Sequence, residues 1–338
     1  MSTGVAATKQ KVARPRLGFL GVGWIGRHRM EAIARSELAE VVVVADPSEQ
    51  ACEEAVKVAP KCQRVGSYEE LLEAPLDGVV IATPSAEHAE QAVRALERGL
   101  AVFCQKPLGR TEEEVRRVVD AARAADRLLG VDLSYRHTVG MQELRKHIRG
   151  GALGEVFAME LVFHNAYGPD KPWFYEPKLS GGGCVMDLGI HLVDLALWVL
   201  DFPEVKGVES RLYAGGRPVR GRGGQVEDYA VAQVELGSGV LARLACSWKL
   251  NAGSDALIEA SFYGTKGGGA LRNVNGSFYD FTAELFHGTK RERLAEPPDA
   301  WGGRAGVDWA KRLAAGERFD PEAERLVEVA RLLDRIYC

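Results

Sequence analysis

The chain has 338 residues, of which 46% are hydrophobic and 27% charged. This is an ordinary globular composition, and the length predicts two domains that can each bury a core. The 43 basic residues against 47 acidic ones give a formal charge of −4, which argues against a nucleic-acid partner. The six cysteines lack metal-ligand spacing, so we expect no metal site. Free thiols, short apolar runs and an N-terminus without a signal peptide predict a cytoplasmic protein that binds no membrane.

Short apolar strands alternate with helical segments in the first part of the chain, as far as Ser134. We predict strands at 16–21, 41–45, 78–82, 101–104 and 128–133, and helices at 25–36, 48–58, 86–98 and 112–125. Buried strands that alternate with helices predict a doubly wound parallel sheet of the Rossmann type. We therefore predict a dinucleotide-binding domain at 16–134, after a flexible N-terminus at 1–15.

Near residue 135 the pattern changes to longer segments in which apolar and polar residues alternate. Strands are predicted at 154–165, 205–214, 226–236, 239–250, 256–263 and 277–285, and helices at 138–149, 185–200 and 321–337. The clustered glycines at 181–183 and 267–269 are predicted to form turns. Residues 135–338 then form an α/β domain for substrate binding and oligomerisation, with a large, mostly antiparallel open sheet. We expect a second copy to cover its open face in a homodimer or homotetramer.

The sequence Gly21-Val-Gly23-Trp24-Ile25-Gly26 follows the first buried strand and opens a helix, as a dinucleotide-binding turn requires. The first glycine allows a tight turn, the second lets a pyrophosphate approach the backbone, and the third allows the helix to pack closely. The free N–H groups and the helix dipole then face the phosphates. We include Trp24 and Ile25 among the predicted cofactor contacts.

Asp46 ends the second predicted strand, well beyond the last glycine of the turn. A carboxylate there can accept both hydroxyls of the adenosine ribose and would repel a 2′-phosphate. This favours NAD over NADP, although Ser48 is compatible with NADP. Alternatively, Asp46 caps the helix that follows it.

Further polar residues follow the third and fourth strands, at the sheet edge where doubly wound folds bind ligands. Thr83 and Pro84 can line the path of the cofactor, and we include His88, in the first turn of the next helix, among the predicted cofactor contacts. Gln105 and Lys106 end the fourth strand, before a proline that stiffens the turn. A lysine held in the cleft is suited to proton transfer, whereas a solvated lysine and a structural histidine are the simpler alternatives.

Asp187, His191 and Asp194 are spaced i, i+4, i+7, so they share one face of an otherwise apolar helix. Polar residues on such a face need a specific role. One role is a buried hydrogen-bonded pair in which Asp187 holds His191. The other is a proton relay, in which the oriented imidazole exchanges a proton with a substrate hydroxyl.

The chain resembles the glucose–fructose oxidoreductase and inositol dehydrogenase family (Gfo/Idh/MocA) over essentially residues 16 to 337. The segments that carry the resemblance are GVGWIG at 21–26, ATPSAEH at 82–88, QKP at 105–107, GALGEV at 151–156 and GGGCVMDLGIHLVDLALW at 181–198. The resemblance implies a sugar or cyclitol in the cleft between two domains. It also implies that Lys106, Asp187 and His191 are the catalytic trio. The matching cofactor contacts are Gly21, Gly23, Gly26, Asp46, Thr83 and Lys106.

One residue departs from the family pattern, which usually has glutamate where this chain has Gln105. That position resembles a contact to the ribose on the nicotinamide side. Glutamine keeps an acceptor oxygen but loses the charge, so weaker ribose binding is expected.

The resemblance implies reversible oxidation of a secondary alcohol to a ketone, or of an aldose to a lactone, with hydride passing to or from nicotinamide C4 of NAD or NADP. His191 would act as the base and Lys106 would stabilise the alkoxide, although their roles in proton transfer can be exchanged. Trp173 can form an apolar wall against a sugar ring, or it can be a core aromatic.

Three other functions stay open. The first is an NAD-dependent glycosidase or lyase that oxidises its substrate transiently. The second is a non-catalytic NAD-binding sensor, and the third is a biosynthetic reductase. The identity of the substrate is not encoded in the motifs, because specificity depends on loops such as 164–180 and 270–300.

Overall fold

The computed structural model describes residues 14–237 and 239–338. Most of the predicted flexible segment 1–15 therefore lies outside the described residues. At the end of that segment, the carbonyl oxygen of Pro15 accepts a hydrogen bond from the Glu40 N–H (2.8 Å), which leads the chain into the first strand.

Six strands of the first half form one parallel sheet in the order β3-β2-β1-β4-β5-β6. Its strands are β1 (Arg16–Leu20), β2 (Glu40–Ala45), β3 (Gln63–Val65), β4 (Gly78–Ile81), β5 (Ala101–Cys104) and β6 (Leu129–Val131). Its helices are α1 (Trp24–Ser36), α2 (Glu49–Val58), α3 (Tyr68–Glu73), α4 (Ser85–Glu97) and α5 (Glu112–Ala125). The predicted doubly wound sheet is confirmed, and β3 and α3 are added to it. The strand order reverses between β1 and β4, which is where such folds bind ligands.

Nine strands of the second half form the other sheet, in the order β15-β14-β13-β12-β7-β11-β10-β8-β9. They are β7 (Val156–Asn165), β8 (Val205–Ala214), β9 (Arg217–Val219), β10 (Tyr229–Leu236), β11 (Leu241–Ser247), β12 (Ala256–Gly264), β13 (Gly268–Asn273), β14 (Phe281–His287) and β15 (Lys290–Ala295). Only the β7–β11 pair is parallel among these neighbours, so the mostly antiparallel sheet is confirmed.

The turn predicted at 267–269 is confirmed only at Gly267, which lies in the connection between β12 and β13, whereas Gly268 and Gly269 begin β13. At Gly269 an added Cβ would lie 2.8 Å from a methyl carbon of Leu144, so glycine lets this strand pass under a helix. The last glycine of the run therefore allows close packing, while the chain reverses just before β13.

The described part of the second half contains the helices α6 (Val139–Arg149), α7 (Pro177–Ser180), α8 (Ile190–Val199), α9 (Arg304–Ala314) and α10 (Arg325–Ile336). A wider π-helical turn (Val185–Gly189) precedes α8, and short 3₁₀ turns occur at Ser134–His137, Pro172–Tyr175 and Pro321–Glu324. Every residue of α8 is buried, in the core between the large sheet and α6 and α10. The helical stretch 177–199 has the length and hydropathy of a membrane span, but 94% of its most apolar window is buried inside the protein. It is the central core helix of the second half.

The last two helices return to the first sheet. Trp309 of α9 is buried against Phe103 of β5, with ring centroids 5.8 Å apart. Val327 and Ala330 of α10 belong to the apolar core that contains α4 and α5. The C-terminal segment thus packs on both sheets, and the predicted boundary between residues 134 and 135 stays a prediction.

Candidate active site

A cavity of about 640 Å³ lies between the carboxyl edge of the parallel sheet and the second half. Both halves of the chain contribute to its wall. The predicted site residues that line it are Gly23, Trp24, Ile25, Thr83, His88, Gln105, Lys106, Trp173, Asp187 and His191. Four further predicted residues lie outside its wall, namely Gly21, Gly26, Asp46 and Pro84.

The glycine turn has the shape that a bound pyrophosphate requires. Gly21 has φ +80°, and Gly26 approaches it so closely that a Cβ would collide with the Gly21 carbonyl oxygen. At Gly23, by contrast, a Cβ would meet no atom within 4 Å, so the backbone faces open space. Helix α1 begins there without a side-chain cap, which leaves N–H groups for an anion. These residues fit a dinucleotide.

Asp46 braces this turn. Its Oδ2 accepts a hydrogen bond from the Val22 N–H and its Oδ1 accepts one from the Ser48 N–H, both at 2.8 Å. The side chain of Ser48, not that of Asp46, caps α2 by accepting from the Ala51 N–H. Asp46 therefore joins the ends of β1 and β2 at the predicted adenosine side of the site.

His88 holds two loops of the cleft together. Its ring nitrogens lie 2.7 Å from the carbonyl oxygens of Thr83 and Pro107. Burial lowers the pKa of His88. Thr83 donates its hydroxyl to Gln91 (2.6 Å), and Pro84 starts α4 at its N-cap. These residues shape the edge of the sheet that faces the cavity.

Lys106 and Asp187 meet across the cleft. The Lys106 Nζ donates to Asp187 Oδ1 (2.7 Å) and to the Asp187 carbonyl oxygen (2.6 Å). The second carboxylate oxygen accepts a hydrogen bond from Trp248 Nε1 at 3.0 Å. Trp248 follows β11 and was not found by sequence reasoning. Its partner is 61 residues away in the chain, so no local pattern indicates the contact.

His191 lines the same cavity but is not held by Asp187. Both Asp187 oxygens have other partners, and no hydrogen bond joins the two side chains within the described residues. The predicted Asp187–His191 pair is therefore wrong. The imidazole instead packs edge-on against Tyr135, with ring centroids 4.9 Å apart. Burial, and then the charges of Lys106 and Arg29, lower the pKa of His191 well below its ordinary value, so the imidazole is neutral.

The third polar residue of the predicted stripe lies in the core. Asp194 accepts hydrogen bonds from Arg136 Nε at 2.8 and 3.0 Å and is almost fully buried. It does not line the cavity, so its role is structural.

A buried carboxylate positions the segment that carries Asp187. Glu227 accepts hydrogen bonds from the N–H groups of Gly183 and Val185, both at 2.9 Å, and from the Tyr337 hydroxyl at 2.8 Å. It thus takes the place of a side-chain cap at the start of the π-helical turn. Because Glu227 lies far along the chain from the segment it holds, just before β10, sequence reasoning did not identify it.

Aromatic residues form much of the remaining wall. Trp173 stacks on Phe174, with ring centroids 3.8 Å apart, and both rings line the cavity. Trp301 and Tyr279 lie in the same wall. The sequence indicated Trp24 and Trp173, whereas Tyr279 and Trp301 belong to segments without a recognisable motif.

Gln105 connects Lys106 to two residues that the sequence did not indicate. Its amide nitrogen donates to Asp132 Oδ2 (2.9 Å), and its amide oxygen accepts from the Lys106 N–H (2.8 Å). Asp132 also pairs with Arg29 of α1. A charged residue on the buried face of α1, beside Met30 and Ile33, is the one signal that could have revealed this cluster.

Residues 15–133 match the oxidoreductase family with an NAD-binding Rossmann fold, and residues 141–270 match the GFO/IDH/MocA C-terminal domain. The chain is 30% identical over 272 residues to the D-glucoside 3-dehydrogenase of Escherichia coli (strain K12), which covers 76% of each chain. It is 31% identical over 262 residues to the inositol 2-dehydrogenase of Rhizobium meliloti (strain 1021), again 76% of each.

Solved structures share the fold over nearly the whole chain. Levoglucosan dehydrogenase in complex with NADH has a TM-score of 0.80 at 21% identity, over 96% of each chain. The 3-ketoreductase KijD10 from Actinomadura kijaniata, solved with NADP and TDP-benzene, has a TM-score of 0.79 at 22% identity, over 95% of this chain and 96% of that one. Fold, glycine turn and family matches agree: the chain belongs to the GFO/IDH/MocA family of NAD-binding oxidoreductases.

Proposed function

We propose that this protein interconverts a secondary alcohol and a ketone on a sugar or cyclitol, using NAD. One observation carries the proposal. The Lys106 ammonium, bonded to Asp187 at 2.7 Å, and the neutral imidazole of His191 line one cavity beside the glycine turn. The names of the relatives, a glucoside dehydrogenase and an inositol dehydrogenase, support this substrate class.

Lys106 stabilises charge on the reacting oxygen. Its ammonium has three donors, of which two are directed to the Asp187 carbonyl and carboxylate oxygens. The third can donate to a substrate hydroxyl and stabilise the alkoxide that develops there. Asp187, fixed in turn by Trp248, keeps the ammonium in place.

His191 accepts the hydroxyl proton. A neutral imidazole is the form that can act as a base, and burial keeps it neutral. When bound, the nicotinamide ring supplies hydride acceptance or donation at C4. The aromatic wall that contains Trp173 excludes water and packs against the apolar face of a sugar ring.

Asp46 selects NAD. A carboxylate held beside the glycine turn at 2.8 Å from two backbone N–H groups offers its remaining lone pairs to ribose hydroxyls and repels a 2′-phosphate. A clear preference of the purified protein for NADP would contradict this assignment.

The location proposed for the protein is the cytoplasm. All six cysteines are free, and five of them are buried, which suits a reducing compartment.

The experiment that tests the function is a measurement of NAD reduction by the purified protein with a panel of inositols, aldoses, glucosides and anhydrosugars. We expect net NADH formation with at least one of them. In Lys106→Met, kcat falls by about 10²–10³, the typical effect of removing one oxyanion donor, while NADH binding measured by fluorescence is retained. The exposed Lys146→Met variant is the matched control and keeps full activity.

Two other results would contradict the proposal and identify a rival. Cleavage of a glycoside without net NADH would show transient oxidation. Cofactor binding without turnover of any substrate would show a sensor. An unchanged kcat in Lys106→Met would remove Lys106 from the chemistry.

A further inference from the structure

A charged cluster lies under the end of the cleft that carries Lys106. Arg29 Nε donates to Asp132 Oδ2 at 2.5 Å, and the amide nitrogen of Gln105 donates to the same oxygen at 2.9 Å. The three side chains come from α1, from the residue after β6 and from the residue after β5. Of the three, Arg29 and Gln105 line the cavity, and Asp132 lies behind them.

Asp132 is an unusual residue for a purely structural ion pair. It is fully buried, and its Oδ1 has no hydrogen-bond partner among the described residues. An unsatisfied buried carboxylate oxygen lowers stability, and replacing such pairs with apolar residues is often favourable. An Arg29–Asp132 pair that carries this cost in stability points to a role at the neighbouring site.

The amide of Gln105 is oriented by its two neighbours. Its nitrogen must face Asp132, which can only accept, and its oxygen must face the Lys106 N–H, which can only donate. A carboxylate at position 105 could accept from Lys106. It would, however, place a second negative oxygen beside Asp132 in a partly buried region, where Arg29 is the cation that pairs with Asp132.

We propose that Asp132 is a positioning residue that holds Lys106 through Gln105, and that the Arg29–Asp132 pair requires a neutral side chain at position 105. Asp132 carries the negative charge of this part of the site. The amide of Gln105 bonds to both Asp132 and the Lys106 N–H, so it links the position of the carboxylate to the backbone of Lys106. This rests on the proposed function insofar as Lys106 acts in turnover. The neutral amide of Gln105 thus suits the Arg29–Asp132 pair beside it and does not by itself impair the site.

The test compares four proteins: the native chain, Gln105→Glu, Asp132→Asn and the double variant. Gln105→Glu adds a second negative charge beside Asp132, and Asp132→Asn removes the carboxylate that pairs with Arg29. The double variant restores one positive and one negative charge. Two readouts are needed, kcat and KM on the best substrate, and the free energy of unfolding in urea.

We expect each single variant to lower kcat by about tenfold or more, because small displacements of a reacting group are costly, with little change in KM. The double variant then has a higher kcat than either single variant, and its unfolding free energy also exceeds both. The exposed substitutions Gln63→Glu and Asp120→Asn change charge in the same way and are expected to leave kcat unchanged.

The proposal would be overturned if the double variant lost kcat by the product of the two single losses. It would also be overturned if the single variants kept the native kcat. If the native protein turns over no substrate, the proposed function fails and the positioning role fails with it. The unfolding free energies still decide the charge matching in that case, because they need no turnover.

Discussion

Lys106 and Asp187 lie 81 residues apart in the chain and 2.7 Å apart in space, each with a side chain only 17% exposed. In such a partly enclosed wall an ion pair holds its geometry better than at an open surface, where pairs contribute little. The pair therefore fixes the direction of one ammonium donor across the cleft. Asp187 therefore positions Lys106, whereas the sequence pattern predicted that it holds His191.

The titration of His191 predicts a pH-dependent stability. Burial lowers the pKa of His191 well below 6.5, so between that lowered pKa and about 6.5 the unfolded chain binds a proton at this residue and the folded protein does not. Stability is thus full above pH 6.5 and decreases as the pH falls below it. His191 contributes up to about 1.4 kcal/mol per pH unit to this decrease.

Urea unfolding of the native protein and of His191→Asn over a series of pH values measures this contribution. We expect the native protein to lose stability more steeply than the variant below pH 6.5, and the two slopes to coincide above pH 7. Parallel curves throughout the acid range would show that the pKa of His191 is the same in the folded and the unfolded chain.

The run of glycines at 181–183, before α8, is required by the local backbone and by a contact with a distant part of the chain. Gly181 and Gly182 adopt positive φ angles of 81° and 154°. At Gly183 an added Cβ would collide with the Glu227 carbonyl oxygen. Residues 181–183 therefore pack directly against the backbone at Glu227, and this contact fixes the position of Asp187 in the cavity wall.

We therefore expect Gly183→Ala to destabilise the protein by at least about 2 kcal/mol, since overpacking against backbone cannot be relieved by a rotamer change. The same substitution at Gly223, where a Cβ meets nothing within 4 Å, should change stability by less than about 0.5 kcal/mol. Denaturant unfolding of the two variants provides the measurement. Equal stabilities would mean that the segment can shift away from Glu227.

The sequence predicted the elements whose pattern is local. Continuous apolar runs identified β1, β2, β4 and β5, and the spacing of apolar residues identified α1, α4 and α5. It missed α9, and it did not distinguish the π-helical turn at 185–189 from the helix that follows. Both depend on packing partners elsewhere in the chain.

The site shows the same division. The glycine turn and Lys106 stand in short motifs at the ends of strands, and the structure brings them together with His191 around one cavity. Trp248, Glu227 and Asp132 were missed because each acts through a partner at least 27 residues away in the chain. Their roles are visible only once the chain has folded.

The outer face of the large sheet is open and carries aliphatic and aromatic side chains, among them Val162 and Val231, beside charged ones such as Arg211. On β7, β8 and β10 the outward residues alternate with buried ones, and His164 stacks on Tyr229, with Tyr213 edge-on to the same ring. Val231 lies between Arg211 and Ala245 on the neighbouring strands. We propose that a second copy of the chain covers this face.

Light scattering coupled to size exclusion tests this assembly. We expect a dimer or tetramer for the native protein and a shift toward monomer for Val231→Glu, because a carboxylate beside Arg211 is compatible with the free sheet but not with an apolar interface. Gln63→Glu, on the edge strand of the other sheet, is the control with the same gain of charge. A native protein that is monomeric at all concentrations would refute the assembly.

The return of α9 and α10 to the first sheet has a consequence for synthesis. Trp309, Val327 and Ala330 complete the apolar core around β5 and α5, yet they leave the ribosome long after those elements, when most of the second half has already been made. During synthesis, part of the apolar surface around β5 and α5 therefore stays exposed until α9 and α10 have been translated. Because this packing needs α9 and α10, we expect a fragment that ends near residue 134 to aggregate rather than fold.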